Sequence, residues 1–92
     1  MVFKQISATA TGILPAGAII VGLRLVAGAN AATVNFYDSA TATGTGYFCR
    51  LSADAANGVD AEYFPENSGQ MLSTGLVAFV TGTSPDCFIY YV

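Results

Sequence analysis

Asp60 and Glu62 stand two residues apart in the run Val59 to Phe64, so on a strand they share a face. Two carboxylates on one face are the least apparatus that acid–base chemistry needs. The same spacing is also that of a solvated strand face, and no companion group turns the pair into a site. The chain has no histidine, which removes Ser-His and Cys-His nucleophiles. Asp54, Asp60, Glu62 and Glu66 are not spaced as a compact calcium loop. Cys49 and Cys87 are the two cysteines, too few for a tetrahedral metal site without histidine. They read as buried free thiols of a reducing compartment. A disulfide stays open, because both fall in expected strands and their separation is not a property of the sequence. Gly44-Thr45-Gly46 lacks the lysine and spacing of a phosphate loop and reads as a flexible turn. Asp38, ahead of Ser39 at a strand end, reads as turn chemistry. The expectation is a chain with no catalytic residues, no metal and no cofactor, and so not an enzyme.

The composition points elsewhere. Hydrophobic residues make up 53% of the 92 positions and charged residues 10%, whereas a soluble monomer carries about 25–35% charge on its surface. Six Phe and five Tyr are more aromatic bulk than one small core hides. Either the surface is a Thr- and Ala-rich monomer's, or part of it is buried against copies of itself or a partner. Interface cores are poor in charge and rich in aromatics, which favours the second. The net charge is −3 and Lys4, Arg24 and Arg50 are far apart, so neither nucleic acid nor an anionic membrane is an expected partner. Met1 to Ile6 does not read as a signal peptide. The apolar stretch Ile13 to Ala29 contains Pro15, Gly17, Gly22 and Arg24, unlike a spanning helix of about 20 apolar residues. Synthesis in a cytosol, without membrane insertion, is expected.

The elements that must position these residues are short β-type runs between Gly, Pro, Asn, Asp and Ser clusters. Expected strands cover Val2–Thr9, Ala18–Ala27, Thr33–Asp38, Tyr47–Ser52, Val59–Phe64, a short piece at Met71–Leu72, Leu76–Thr81 and Cys87–Val92. The first has no purely apolar face and reads as an edge strand or as a strand shared with another subunit. In the second, Ile19, Val21, Leu23 and Leu25 are expected inward and Ile20, Gly22, Arg24 and Val26 outward. Gly22 marks a bulge or a close approach. Val34 and Phe36 are expected inward, with Thr33, Asn35 and Tyr37 outward. Asn57-Gly58 is a turn, and Glu66 to Gly69 another. Phe88-Ile89-Tyr90-Tyr91-Val92 is apolar on both faces, as a central strand or a subunit interface would be. The fold class is all-β, one domain over residues 1–92. A seven- to eight-stranded antiparallel sandwich is expected, jelly-roll or immunoglobulin-like.

The order of pieces resembles small structural proteins of tailed-phage virions. The likeness is carried by Ile20-Val21-Gly22-Leu23-Arg24-Leu25-Val26-Ala27-Gly28, then Ala32-Thr33-Val34-Asn35-Phe36-Tyr37-Asp38 with Ala42-Thr43-Gly44-Thr45, and late by Leu72-Ser73-Thr74-Gly75-Leu76 with Thr81-Gly82-Thr83. These are strand and turn signatures over most of the chain and name no chemistry. The resemblance implies a capsid decoration (cement) protein or a head-fibre-like β-sandwich module, often trimeric. Its partners would be itself, as a homotrimer, and the major capsid protein, and its place the capsid surface of a virion assembled in a host cytoplasm. The alternative is a carbohydrate- or receptor-binding module of a tail or spike. Under either, Arg24, Tyr37, Tyr47, Tyr63, Tyr90 and Tyr91 are the residues expected at the contact.

Overall fold

The computed structural model of the chain describes residues 2–40, 45–64 and 69–92. Among these are eight strands and no helix: β1 (Val2–Ile6), β2 (Ile19–Val26), β3 (Ala32–Asp38), β4 (Tyr47–Ala53), β5 (Val59–Tyr63), β6 (Gln70–Met71), β7 (Leu76–Thr81) and β8 (Asp86–Tyr91). They form two antiparallel sheets. One runs β1-β8-β2-β5, with β6 beside the start of β2, and the other runs β4-β3-β7. The pairings nest. β1 pairs β8, residues 10–15 bridge to β7 through Ala10–Ala78 and Pro15–Gly75, β2 pairs β5, and β3 pairs β4 innermost. One long hairpin is thus rolled until β8 also meets β2 and β3 also meets β7. That is a jelly-roll wrap. It is not the immunoglobulin order, in which the first strand lies beside the second. The Cα radius of gyration, 12.2 Å, equals the value of about 12 Å for one compact domain of this length.

The core lies between the sheets. Ile20, Leu23 and Leu25 of β2 and Cys87 and Ile89 of β8 face Val34 and Phe36 of β3, Leu51 and Ala53 of β4, and Leu76 and Ala78 of β7. Ile13, Leu14 and Leu72 join from the connecting segments. The alternation in β3 is the one the sequence predicts, with Val34 and Phe36 buried and Thr33, Asn35 and Tyr37 half-buried. Among the described residues no polar or charged side chain is buried, so the core is held by apolar burial alone.

The expected phase of β2 is corrected. Ile20, not Ile19 or Val21, is fully buried with Leu23 and Leu25. Between Ile20 and Gly22 the β2 chain advances two residues while β8 advances one, from Tyr91 to Tyr90. Val21 is the extra residue of a β-bulge, and one extra residue exchanges the faces of everything before it. β4 carries a second irregularity, with Phe36 opposite Cys49 and Tyr37 opposite Tyr47, and turns Cys49, Leu51 and Ala53 inward. β1 ends at Ile6, short of Thr9, and is an edge strand as expected. The expected turn at Glu66 to Gly69 and the Gly44-Thr45-Gly46 scrap lie partly outside the described residues.

Two turns have an identifiable chemistry. Asn57 adopts a φ of 60°, and the Gly58 N–H donates to the Asp54 carbonyl at 3.0 Å, closing the turn between β4 and β5. Asp38 serves a turn distant in sequence. Its carboxylate accepts from the backbone N–H groups of Ser73 and Thr74 at 2.8 Å each and of Gly75 at 3.2 Å, fixing the entry to β7. Partial burial pushes the Asp38 carboxyl up, but those backbone donors, with the Ser73 hydroxyl, outweigh it and leave the group below its ordinary value.

Candidate interaction face

Period two puts Phe3 and Gln5 of β1, Phe88 and Tyr90 of β8, Gly22, Arg24 and Val26 of β2, and Val59, Ala61 and Tyr63 of β5 on the solvent side of the larger sheet. The registers align them in rows across four strands. Phe3 lies opposite Tyr90, Tyr90 opposite Gly22, and Gly22 opposite Tyr63. In the next row Gln5 lies opposite Phe88, Phe88 opposite Arg24, and Arg24 opposite Ala61.

The rings cluster. Phe3 lies 6.2 Å from Phe88 and 6.0 Å from Tyr90 between centroids, both tilted, within the range of favourable aromatic pairs. The Arg24 guanidinium sits 5.7 Å above the Phe88 ring, a cation–π contact. Gly22 allows the close fit, since a Cβ there would come within 2.9 Å of the Tyr63 ring and 3.4 Å of the Tyr90 ring. Exposure stays high for apolar groups: Phe3 58%, Tyr63 65% and Val59 53%. Charge is sparse. Among the described residues Arg24 is the one cation of the face, and Asp86 at its border accepts from the Gln5 amide at 2.9 Å. A broad, nearly neutral aromatic surface with a single oriented guanidinium is suited to burial against another protein.

The six residues expected at the contact are divided by the fold. Arg24, Tyr63 and Tyr90 share the face just described. Tyr37 and Tyr47 lie opposite each other on the smaller sheet, rings 5.9 Å apart and edge-on, in a more polar setting with Asn35, Arg50 and the hydrogen-bonded Thr33 and Thr81 hydroxyls. Tyr91 turns to the other side of β8, in register with Val2 and Ile20, and packs against the core. Phe3, Phe88 and Val59 are members of the face that sequence reasoning missed. Phe88 was available to it, being two residues from Tyr90. Phe3 and Val59 join only through the β1–β8 and β2–β5 registers.

Of the two carboxylates first suspected of chemistry, Asp60 is engaged in backbone hydrogen bonds and Glu62 is exposed. Asp60 accepts from the Ser52 N–H through Oδ2 and from the Ala61 N–H through Oδ1, both at 2.9 Å, tying β5 to β4. Cys49 and Cys87 are free. Burial, then Cys49, pushes the Cys87 thiol up to about 12, and burial followed by the Glu62 and Asp60 carboxylates raises Cys49. Both are thereby held as thiols, the unreactive form. Among the described residues no cluster of three His, Cys, Asp or Glu side chains forms a metal site, and no helix is long and apolar enough to cross a membrane.

Comparison with protein families, with curated proteins and with solved structures finds no match.

Proposed function

We propose that the chain is a structural subunit of a virion, a capsid decoration protein that forms a homotrimer and binds across major capsid subunits at the head surface. The observation that carries this reading is the outer face of the larger sheet, which presents Phe3, Tyr63, Tyr90, Phe88 and Val59 with one guanidinium, that of Arg24 over the Phe88 ring. A face so apolar costs solubility when exposed and stabilises an assembly when covered, at about 25 cal/mol for each Å² of apolar surface removed from water. A trimer would suit the threefold positions of a shell, and the protein's task would be to bury surface across capsomer junctions. No reaction is assigned to it. The test is the mass by light scattering over a range of concentrations, followed by sedimentation with purified capsids. A trimer that co-sediments supports the reading. A monomer that ignores capsids overturns it.

A second reading, a carbohydrate-binding module, has one observation in its favour. The edge-on Tyr37–Tyr47 pair beside Asn35 and Arg50 offers ring faces with hydrogen-bonding groups next to them. Saturable binding on a glycan array, lost in Tyr37→Ala, would favour it.

A further inference from the structure

Among the described residues the larger sheet has two open edges, β1 and β5, which are complementary to each other and not to themselves. The Phe64 N–H donates to Val21 and the Ala27 N–H to Gly58, so the odd residues of β2 bond toward β5 and its even residues toward β8. Carried across the antiparallel registers, that alternation leaves Phe3 and Gln5 directing their backbone groups to the open side of β1. Val59, Ala61 and Tyr63 do the same on β5. Strand direction alternates from β1 through β8 and β2 to β5. A second copy added beside β5 by its β1 is therefore antiparallel to it and continues the sheet.

In the register that continues the rows, Phe3 of one copy falls opposite Tyr63 of the next, both as outward-bonding residues with rings on the aromatic face. Lys4 then falls opposite Glu62. Both are exposed, and they already stand at opposite ends of one row, Lys4–Ile89–Leu23–Glu62. Pairing like edges fares worse. Full-length β1 on β1 sets Lys4 against Lys4, and β5 on β5 sets Asp60 against Glu62, like charges that destabilise a cross-strand pair.

We propose that copies of this chain join head to tail through β1 of one and β5 of the next, with Lys4 opposite Glu62 and Phe3 beside Tyr63. The inference rests on the assembly reading above and specifies its interface. A contact between unlike edges is heterologous, so it closes into a ring when the rotation between copies permits, three copies in the proposed assembly. The Ala61 N–H passes from Asp60 to the Gln5 carbonyl of the neighbour, while Asp60 keeps Ser52. In the single chain that Asp60 contact blunts the edge against indiscriminate pairing.

The test is charge reversal read by light scattering. Lys4→Glu and Glu62→Lys are each expected to raise the concentration at which the oligomer dissociates by about tenfold or more, and the double reversal to bring it back near the original. Circular dichroism melts check that the variants fold. Gln5→Pro removes an outward N–H without touching the β8 ladder and is expected to weaken association as well. An oligomer indifferent to the single reversals, or not rescued by the double one, overturns this interface and leaves the trimer standing. A parent chain that is monomeric throughout overturns both.

Discussion

Gly22 lies beneath the ring of Tyr63, its direct partner across the β2–β5 ladder, at a spacing that a Cβ would close to 2.9 Å. The same Cβ would lie 3.4 Å from the ring of Tyr90, the partner on the other side. The glycine thus forms the floor on which two rings of the aromatic face rest. Tyr63 is exposed and its ring has room to swing. Gly22→Ala is accordingly expected to change stability by less than about 1 kcal/mol, the backbone gain offsetting the displaced ring. Gly22→Val is expected to displace both rings. Near-ultraviolet circular dichroism of the tyrosines, with melting temperature as control, separates the two, and association should fall with the ring signal.

Asp38 supplies a pH dependence with a defined sign. Its folded-state value lies below the ordinary 3.8, so the stability it adds is fully present above that value and is lost as the pH falls through the lower one. Asp38→Asn keeps an acceptor but loses the charge, and is expected to cost about 1 kcal/mol at pH 7, allowing for the group's partial exposure. Denaturant melts of both proteins should converge below pH 4. A difference independent of pH would contradict the role of the charge.

The two thiols should differ from ordinary cysteines. With Cys87 pushed up to about 12 and Cys49 also raised, a disulfide reagent at pH 8 is expected to leave Cys87 unmodified in the native protein and to react with both in denaturant. Cys87→Ser should cost about 1–3 kcal/mol, because it places a hydroxyl where the surroundings are apolar. Cys87→Ala should cost less.

The bulge at Val21 predicts which of three adjacent apolar residues matters. Ile20→Ala is expected to destabilise by about 2–5 kcal/mol, a large share of what a domain of this size has. Ile19→Ala and Val21→Ala should each cost about 1 kcal/mol or less, their side chains being half-buried. Equilibrium unfolding in urea measures all three, and a larger cost at Val21 than at Ile20 would contradict the register.

That comparison also shows where reading the sequence stops. β7 is legible residue for residue, Leu76–Thr81, because glycines bound it. β3 is legible because Val34 and Phe36 alternate with polar neighbours. In Ile19-Ile20-Val21 every residue is apolar, so either phase fits, and the choice is made by β8, some 70 residues away. Asp38 is similar: its partners at Ser73 to Gly75 belong to a turn no local pattern connects to it. Of the face, Arg24, Tyr63 and Tyr90 could be named from residue type, but that they share a surface, and that Tyr37, Tyr47 and Tyr91 do not, follows from registers set by the whole wrap.

The nesting has a consequence for synthesis. β8 is the last strand in chain order, yet it lies inside its sheet, between β1 and β2. Until the ribosome has released it, β1 has no neighbour, and the β2 edge that β8 will cover is open. The larger sheet must form after the seven preceding strands have been made, by closing segments far apart in the chain, which is intrinsically slow. During that delay the nascent chain carries unpaired strands rich in isoleucine, leucine and phenylalanine, and chaperone protection is most needed then.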